Sequence, residues 1–263
     1  MNFDLADPAS GSTTNGLYVE TWGDGTPVVL VHGSLAIGND EWEAQRPLAE
    51  QGFALRVCDR RGYGRSESAI GEDFLADAED IVELMGAGAH LVGHSYGGIG
   101  AMLAAARYPE RTLSLTLLEA PVTAVAHDDP ASRGLVDEIR AMWTSDASDR
   151  DFVVAFLTAV GSDPDELGPD LLASAVDLVP VFRQGRPFFD ADLPLAVLTA
   201  ARFPKLVVAG GHHPGFDAMC RALAREIGGS FATVEGAGHE IQFTGEPIND
   251  LLVGLWGGVT TAT

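Results

Sequence analysis

Short apolar runs recur along the chain, and segments with helical spacing separate them. Six of the runs are almost continuously apolar and end at glycine, proline or aspartate, at residues 27–34, 53–62, 89–95, 113–121, 205–211 and 230–238. Runs of this kind are typical of strands in a parallel sheet that is covered on both faces. Residues 16–23 instead alternate between apolar and polar side chains, which predicts an outer antiparallel strand.

Segments between these runs carry apolar residues at helical spacing. They lie at residues 72–88, 97–112, 215–229 and 247–258. Strands that alternate with helices imply right-handed crossover connections, because a parallel neighbour is reached only through such a connection. The pattern therefore predicts an α/β fold with a doubly wound, mostly parallel sheet and flanking helices.

Residues 122–203 interrupt this alternation. They contain two helical stretches, 131–143 and 149–161, followed by a segment punctuated by prolines and without an obvious strand. We predict a helical lid at 122–203, inserted into a hydrolase-like core that consists of 1–121 and 204–263. Aromatic residues of this lid, Trp143 and Phe156 among them, either face inward to bind a hydrophobic substrate or only pack the lid on the core.

Composition narrows the class of protein. The chain has 263 residues, of which 46% are hydrophobic, enough for one sizeable core. A net charge of −22 disfavours nucleic acid and membrane surfaces, and also anionic substrates unless the pocket is locally basic. Residues 1–10 lack the pattern of a secretory signal, and no apolar run is long enough for a membrane span. We expect a cytoplasmic protein that binds a small molecule; the oligomeric state is not predicted.

The stretch Gly93-His94-Ser95-Tyr96-Gly97 has the pattern G-x-S-x-G. In that pattern a serine sits on a strained turn between a strand and a helix, and its neighbours are small so that chains can pass closely. Here an apolar run precedes the serine and an alanine-rich segment follows it. The context favours a nucleophile over a structural glycine corner, and it offers the Tyr96 backbone N–H to a developing oxyanion.

Four motifs in order resemble the α/β-hydrolase superfamily: "VHGS", "DRRGYGRS", "GHSYGG" and "GAGHE". The resemblance covers nearly the whole chain outside the predicted lid and points to a serine hydrolase similar to esterases and lactonases. It implies that the Ser34 N–H is the second oxyanion donor and that His32 braces its loop. It also implies that neither a cofactor nor a metal is needed.

The base that this resemblance implies is His239. It follows the last predicted strand through the small residues "GAG" and comes after the nucleophile in the sequence. The adjacent His212 and His213 lack a nearby third ligand, so a zinc site is not predicted. His213 is instead a weak candidate for a substrate contact.

The acid departs from the commonest pattern of the superfamily, in which an aspartate follows the seventh strand as G-x-x-D. Three residues after Gly210 the chain has His213, and the nearest carboxylate, Asp217, falls in the next helix. In part of the superfamily, haloalkane dehalogenases included, the acid ends the sixth strand, where this chain has Glu119. We favour Glu119 as the acid, with Asp217 second. The alternative for Glu119 is a strand-end residue that faces water.

These residues predict a serine hydrolase that cleaves ester, thioester or lactone bonds of a small, hydrophobic substrate through an acyl-enzyme. Ser95 is the nucleophile, His239 the general base and Glu119 the residue that orients it. A serine in place of aspartate argues against dehalogenation. Perhydrolase, carbon–carbon bond hydrolase and acyltransferase activities remain open on the same triad. A ligand-binding protein with an inert triad also remains open.

Overall fold

A computed structural model describes residues 10–165 and 168–258 of the chain. Residues 1–9, which belong to the segment without a secretory pattern, lie outside the described residues. The described ranges form an eight-stranded sheet with the order β1-β2-β4-β3-β5-β6-β7-β8. The strands are β1 Ser10–Thr14, β2 Leu17–Trp22, β3 Thr26–Val31, β4 Phe53–Asp59, β5 Ala89–His94, β6 Thr112–Leu118, β7 Lys205–Ala209 and β8 Ser230–Thr233.

The sheet is parallel from β4 to β8 and antiparallel at the end that carries β1 and β2. This confirms the predicted fold class. Residues 16–23 were predicted to form an outer antiparallel strand. They form β2, which is antiparallel to both of its neighbours but is the second strand from the edge, because β1 pairs with it and lies outermost. The sequence of β1, Ser-Gly-Ser-Thr-Thr, has no apolar side chain and therefore gave no strand signal.

Helices cover both faces of the sheet, which explains why both faces of the central strands are buried and their sequences are mostly apolar. On β3, Val29 and Val31 pack towards α2, α3 and α8, whereas Val28 and Leu30 pack towards α1 and α9. No described helix is long and apolar enough to cross a membrane. The helices are α1 Gly38–Trp42, α2 Phe74–Met85, α3 Ser95–Arg107, α4 Pro130–Trp143, α5 Asp149–Ala159, α6 Gly168–Arg183, α7 Leu195–Ala200, α8 Pro214–Ile227 and α9 Glu246–Gly257.

The chain between β6 and β7 is helical and contains α4 to α7. The proline-punctuated part of this segment also contains a helix, α6, which runs through Pro180. Three aromatic side chains of α5 and α6 pack against one another here, with ring centroids of Phe152, Phe156 and Phe182 5.0–6.3 Å apart. The division of the chain into a core and a lid stays a prediction.

A buried ion network joins the loop after β3 to the segment after β4. The guanidinium of Arg60 donates to Glu72, Asp77 and the carbonyl oxygen of Gly33, each at 2.9 Å. Burial raises the pKa of Asp77 to about 6, although Arg60 opposes this shift. The hydroxyl of Tyr63 donates a further hydrogen bond of 2.6 Å to Glu72. One buried cation thus holds two carboxylates and fixes the position of the Gly33 loop.

We predict that Arg60→Met lowers the free energy of unfolding by about 3–5 kcal/mol, because it leaves two buried carboxylates without their cation. Arg107→Met is the matched control, since Arg107 and its partner Glu79 are both exposed. Urea unfolding followed by circular dichroism measures both variants. Equal, small changes in the two variants would show that the Arg60 network does not stabilise the fold.

Candidate active site

Ser95 occupies a strained turn at the carboxyl end of β5. It is the first residue of α3, and its φ of +46° lies in the left-handed region, which is uncommon for serine. A Cβ atom at Gly97 would lie 2.6 Å from the carbonyl oxygen of Val31, so only glycine fits there. At Gly93 a Cβ atom would lie 2.6 Å from Gly98 Cα. The glycines of the motif therefore allow β5, α3 and the end of β3 to approach closely around the serine.

Two further side chains meet Ser95 at this edge of the sheet. His239, from the loop after β8, places Nε2 3.1 Å from Ser95 Oγ and Nδ1 2.7 Å from Glu119 Oε2. A carboxylate only accepts hydrogen bonds, so Nδ1 carries the proton and Nε2 is free to accept from the serine hydroxyl. Burial, with the neighbouring His94 in a smaller role, lowers the pKa of His239 well below its usual value. The imidazole is therefore neutral, as a general base has to be.

Glu119 follows β6 directly and is completely buried, so it is not a strand-end residue that faces water. Its Oε1 accepts a 2.7 Å hydrogen bond from the Gly210 N–H. Burial raises the pKa of Glu119, and the nearby His212 and the Gly210 N–H oppose this shift. Its φ of +44° is a second backbone outlier beside the one at Ser95. Strain of this kind clusters at functional sites.

The second candidate acid, Asp217, lies in the first turn of α8. It makes no hydrogen bond or ion pair with His239 in the part of the chain that the structure describes. His213, at the position of the usual aspartate, is the N-cap of α8 and accepts a 3.0 Å hydrogen bond from the Gly215 N–H. The end of β7 thus presents a helix cap rather than an acid.

A buried pair beneath the serine was not anticipated from the sequence. His94 places Nδ1 3.0 Å from Glu41 Oε1 and Nε2 3.0 Å from the carbonyl oxygen of His239. Burial lowers the pKa of His94, but Glu41 outweighs this and the net pKa is raised. Glu41 also accepts from the Gly33 N–H. Nothing in the sequence separates Glu41 from the exposed Glu43 close by.

The two predicted oxyanion donors lie on either side of the nucleophile. The Ser34 N–H has no hydrogen-bond acceptor within residues 10–165 and 168–258, and the Ser34 hydroxyl donates to Glu72 at 2.9 Å. Tyr96 lies in the first turn of α3, where N–H groups lack partners within the helix. Its hydroxyl donates to the carbonyl oxygen of Arg186 at 2.8 Å. Both side chains are thus anchored away from the backbone N–H groups.

A cavity opens in front of Ser95 and His239. Its apolar wall includes Phe156, and its acidic residues are Asp40, Glu41 and Glu240. Of the described residues that line it, none is lysine or arginine. Trp143 instead packs on Phe182 with ring centroids 4.4 Å apart, and its Nε1 donates to the Arg183 carbonyl. This geometry does not support the predicted substrate contacts of Trp143 and His213. The apolar lining residues are Leu35, Ala36, Ile37, Phe156, Leu157, Leu171, Ala175 and Phe243.

Three side chains bring potential metal ligands together: Glu119, His212 and His239 place one such atom each within 4.8 Å of one another. However, Glu119 and His239 contact each other at 2.7 Å. Two ligands of a tetrahedral zinc ion lie about 3.3 Å apart. The second oxygen of Glu119 already accepts from Gly210. Glu119 and His239 therefore fit a hydrogen-bonded pair of acid and base rather than a metal site.

We predict opposite effects of one substitution at two glycines. Gly97→Ala lowers the free energy of unfolding by about 1–3 kcal/mol, because the added methyl group meets backbone atoms of β3 and its following loop. Gly134→Ala raises it by about 0.5–1 kcal/mol, since Gly134 lies within α4 with open space around it. Urea unfolding of both variants tests this, and a neutral Gly97→Ala would contradict the close packing at the turn.

Comparisons with known proteins agree with this fold. The alpha/beta hydrolase fold family matches residues 26–166. The bifunctional esterase/perhydrolase DCH of Acinetobacter calcoaceticus is 35% identical over 109 residues, which are 39% of this chain and 40% of that protein. The chain therefore spans about two fifths of the length of this curated relative.

Solved structures match over nearly the whole chain. A thermophilic esterase from Thermogutta terrifontis superposes with a TM-score of 0.69 at 24% identity, covering 96% of this chain and 98% of that one. An alpha/beta hydrolase from Sphaerobacter thermophilus has a TM-score of 0.68 at 25% identity, covering 94% and 100%. Together with the family match over more than half of its residues, this shows that the chain belongs to the alpha/beta hydrolase fold family.

Proposed function

We propose that this protein is a serine hydrolase that cleaves carboxylic ester, thioester or lactone bonds through an acyl-enzyme. The observation that carries the proposal is the continuous contact from Ser95 through His239 to Glu119, with the serine at the wall of a cavity. Similarity to a bifunctional esterase/perhydrolase supports an activity on esters.

In the proposed reaction, Ser95 Oγ attacks the substrate carbonyl carbon while His239 Nε2 takes up the hydroxyl proton. The imidazolium that forms is stabilised by Glu119 and then gives its proton to the leaving alcohol or thiol. The backbone N–H groups of Ser34 and Tyr96 donate to the oxyanion, a contribution of about 10²–10³ in rate for each donor. A water molecule, activated by His239, then attacks the acyl-enzyme and releases the acid.

We propose that the substrate is neutral and largely apolar. At the cavity the large side chains of Leu171 and Phe243 are about one third to one half exposed, which provides an apolar rim for a hydrocarbon group. The acidic residues at the same cavity, Asp40 and Glu240 among them, repel carboxylates and phosphates. We infer that thioesters on phosphate-bearing carriers are poor substrates.

We also propose that the helical segment between β6 and β7 acts as a lid over this cavity. Phe156 and Leu157 of α5 line it from one side, and Leu171 and Ala175 of α6 add to the same wall. Movement of these two helices would change both the width of the entrance and the apolar area that contacts the substrate. The proposed lid corresponds to the predicted insertion at 122–203.

Substitution of the triad tests the mechanism directly. With a p-nitrophenyl ester of a short fatty acid, we expect Ser95→Ala to lose turnover and Glu119→Gln to lower kcat by about 10²–10⁴. Asp217→Asn is the matched control and should keep full turnover, because it does not touch His239. An inactive Asp217→Asn beside an unimpaired Glu119→Gln would overturn the assignment of the acid.

Two further outcomes separate the alternatives. If wild type neither turns over any ester or lactone nor reacts with a fluorophosphonate at Ser95, the protein is a ligand-binding member of the family. If the acyl-enzyme forms, product analysis with water, hydrogen peroxide or an alcohol identifies the acceptor. Peroxide is included because the relative from Acinetobacter calcoaceticus is named an esterase/perhydrolase.

A pair of esters tests the charge of the cavity. We expect p-nitrophenyl butyrate to have a kcat/KM at least about tenfold above that of p-nitrophenyl hemisuccinate, whose acyl chain ends in a carboxylate. Asp40→Asn should narrow this ratio, because Asp40 is exposed at the cavity. Asp24→Asn is the control: Asp24 is equally exposed but lies in the turn between β2 and β3, at the opposite edge of the sheet. A preference for the anionic ester would contradict the proposed substrate class.

A further inference from the structure

A second histidine contacts the buried acid from the side away from His239. His212 lies in the loop between β7 and α8, and its Nδ1 is 3.5 Å from Glu119 Oε1. Its Nε2 is 2.8 Å from the carbonyl oxygen of Val160, the residue that ends α5. The ring therefore bridges the carboxylate of the proposed triad and the backbone of the helical insertion.

The two partners of this ring determine where its protons lie. A carbonyl oxygen only accepts hydrogen bonds, so His212 Nε2 carries a proton and donates to Val160. In a neutral ring, Nδ1 would then direct a lone pair at Glu119 Oε1, which itself already accepts from Gly210. Nδ1 is buried and makes no hydrogen bond among the described residues, although Glu119 Oε1 lies within ion-pair distance at 3.5 Å. A proton on Nδ1 replaces the repulsion between the nitrogen lone pair and the carboxylate oxygen with an ion pair.

We propose that His212 is a positioning residue of the triad, which as an imidazolium held by the Val160 carbonyl keeps Glu119 ionised. This inference rests on the proposed function, because it assigns His212 a role in the hydrolytic cycle. No motif of the sequence indicates this ion pair between His212 and Glu119. His212 comes one position before His213, the residue that stands in place of the usual aspartate.

Glu119 needs such a partner because it is completely buried. Burial favours the neutral acid and raises the pKa of Glu119. A neutral Glu119 could donate to His239 Nδ1, and the imidazole proton would then sit on Nε2, facing Ser95. That tautomer cannot accept the serine proton. A positive charge within 4–6 Å lowers a carboxyl pKa by about 1–3 units.

The ionisable groups around His212 come from three segments of the chain. Burial lowers the pKa values of both neighbouring histidines, so they are neutral near pH 7. Besides Glu119, the carboxylates close to His212 belong to α8 and to the loop after β8. The titratable groups around His212 are Glu119 after β6, His213 and Asp217 at α8, and His239 and Glu240 after β8.

The insertion contacts this site through its backbone. Gly161 lies against the His212 ring, so that a Cβ atom there would come within 2.8 Å of Nε2. The next residue, Ser162, donates a 2.7 Å hydrogen bond to Glu240, the neighbour of His239. The end of α5 is thus tied to the loop of the proposed base as well as to His212. A shift of α5 would therefore change the hydrogen bond that holds the His212 ring.

The test is the pH dependence of kcat/KM on a neutral ester in His212→Gln. The glutamine amide can keep the bond to the Val160 carbonyl but carries no positive charge. The active form contains ionised Glu119, so activity is present above the pKa of Glu119 and is lost as the pH falls through it. Without the His212 charge that pKa rises. We expect the acidic limb of the profile to move up by about one pH unit or more, with a nearly unchanged KM.

His213→Gln is the matched control, because its side chain caps α8 instead of facing Glu119. We expect it to leave the acidic limb in place. In a Glu119→Gln background, adding His212→Gln should neither shift the acidic limb nor cause a further loss. An unmoved limb in His212→Gln, or an equal shift in His213→Gln, would overturn the proposal.

A second measurement does not depend on turnover. Nitrogen NMR of the Ser95→Ala protein, with labelled histidine, should show both ring nitrogens of His212 protonated near neutral pH. A deprotonated Nδ1 there would refute the imidazolium. If wild type hydrolyses esters and Ser95→Ala does not, the proposed function stands even when both His212 measurements fail. If wild type is inactive, the NMR result still decides the protonation of His212.

Discussion

A fully buried carboxylate is the constraint around which this site is built. Glu119 has lost its water shell, and an isolated charge in that position would be costly by several kcal/mol. Three groups from two loops surround it: the ring of His239 after β8, and the Gly210 N–H and the ring of His212 after β7. Each of these loops is therefore placed by the same anion, and their mutual positions follow from it.

The same physical problem is solved a second time on the other side of Ser95. There Arg60 neutralises Glu72 and Asp77, and Glu72 in turn accepts from the Ser34 hydroxyl. The loop that carries the Ser34 N–H is thereby anchored through a side chain to a buried ion network. Both flanks of the proposed nucleophile thus depend on buried charges that are held by charged and polar partners, an arrangement that is rigid because each lost partner is expensive.

The sequence predicted those parts of the molecule whose signals are local. Continuous apolar runs gave the parallel strands, and the glycines around Ser95 gave the strained turn. Glu119 could be found because a carboxylate at the end of an apolar strand needs a partner. By contrast, β1 is paired through its backbone alone, and its side chains give no pattern.

Other parts of the site depend on contacts between distant segments. Glu41 becomes a buried partner of His94 only when α1 packs under β5, and its neighbours in the sequence are equally acidic. In the sequence, His212 stands out only as half of a histidine pair. Its contact with Val160 joins residues that are 52 positions apart, and no spacing pattern indicates it. Helix α6 lies within the predicted helical insertion but was not located individually, and it contains Pro180, a residue that disfavours a helix interior.

The placement of the acid after β6 has a mechanical consequence. Strands β5 and β6 are adjacent and paired in register up to their last residues, His94 opposite Leu118. Ser95 and Glu119 directly follow these two residues, so nucleophile and acid are fixed to one hydrogen-bonded ladder in the middle of the sheet. His239 arrives from the loop after β8, the strand at the edge. Movement at the edge of the sheet would therefore displace the imidazole of His239 relative to the other two residues. It would leave the distance between Ser95 and Glu119 unchanged.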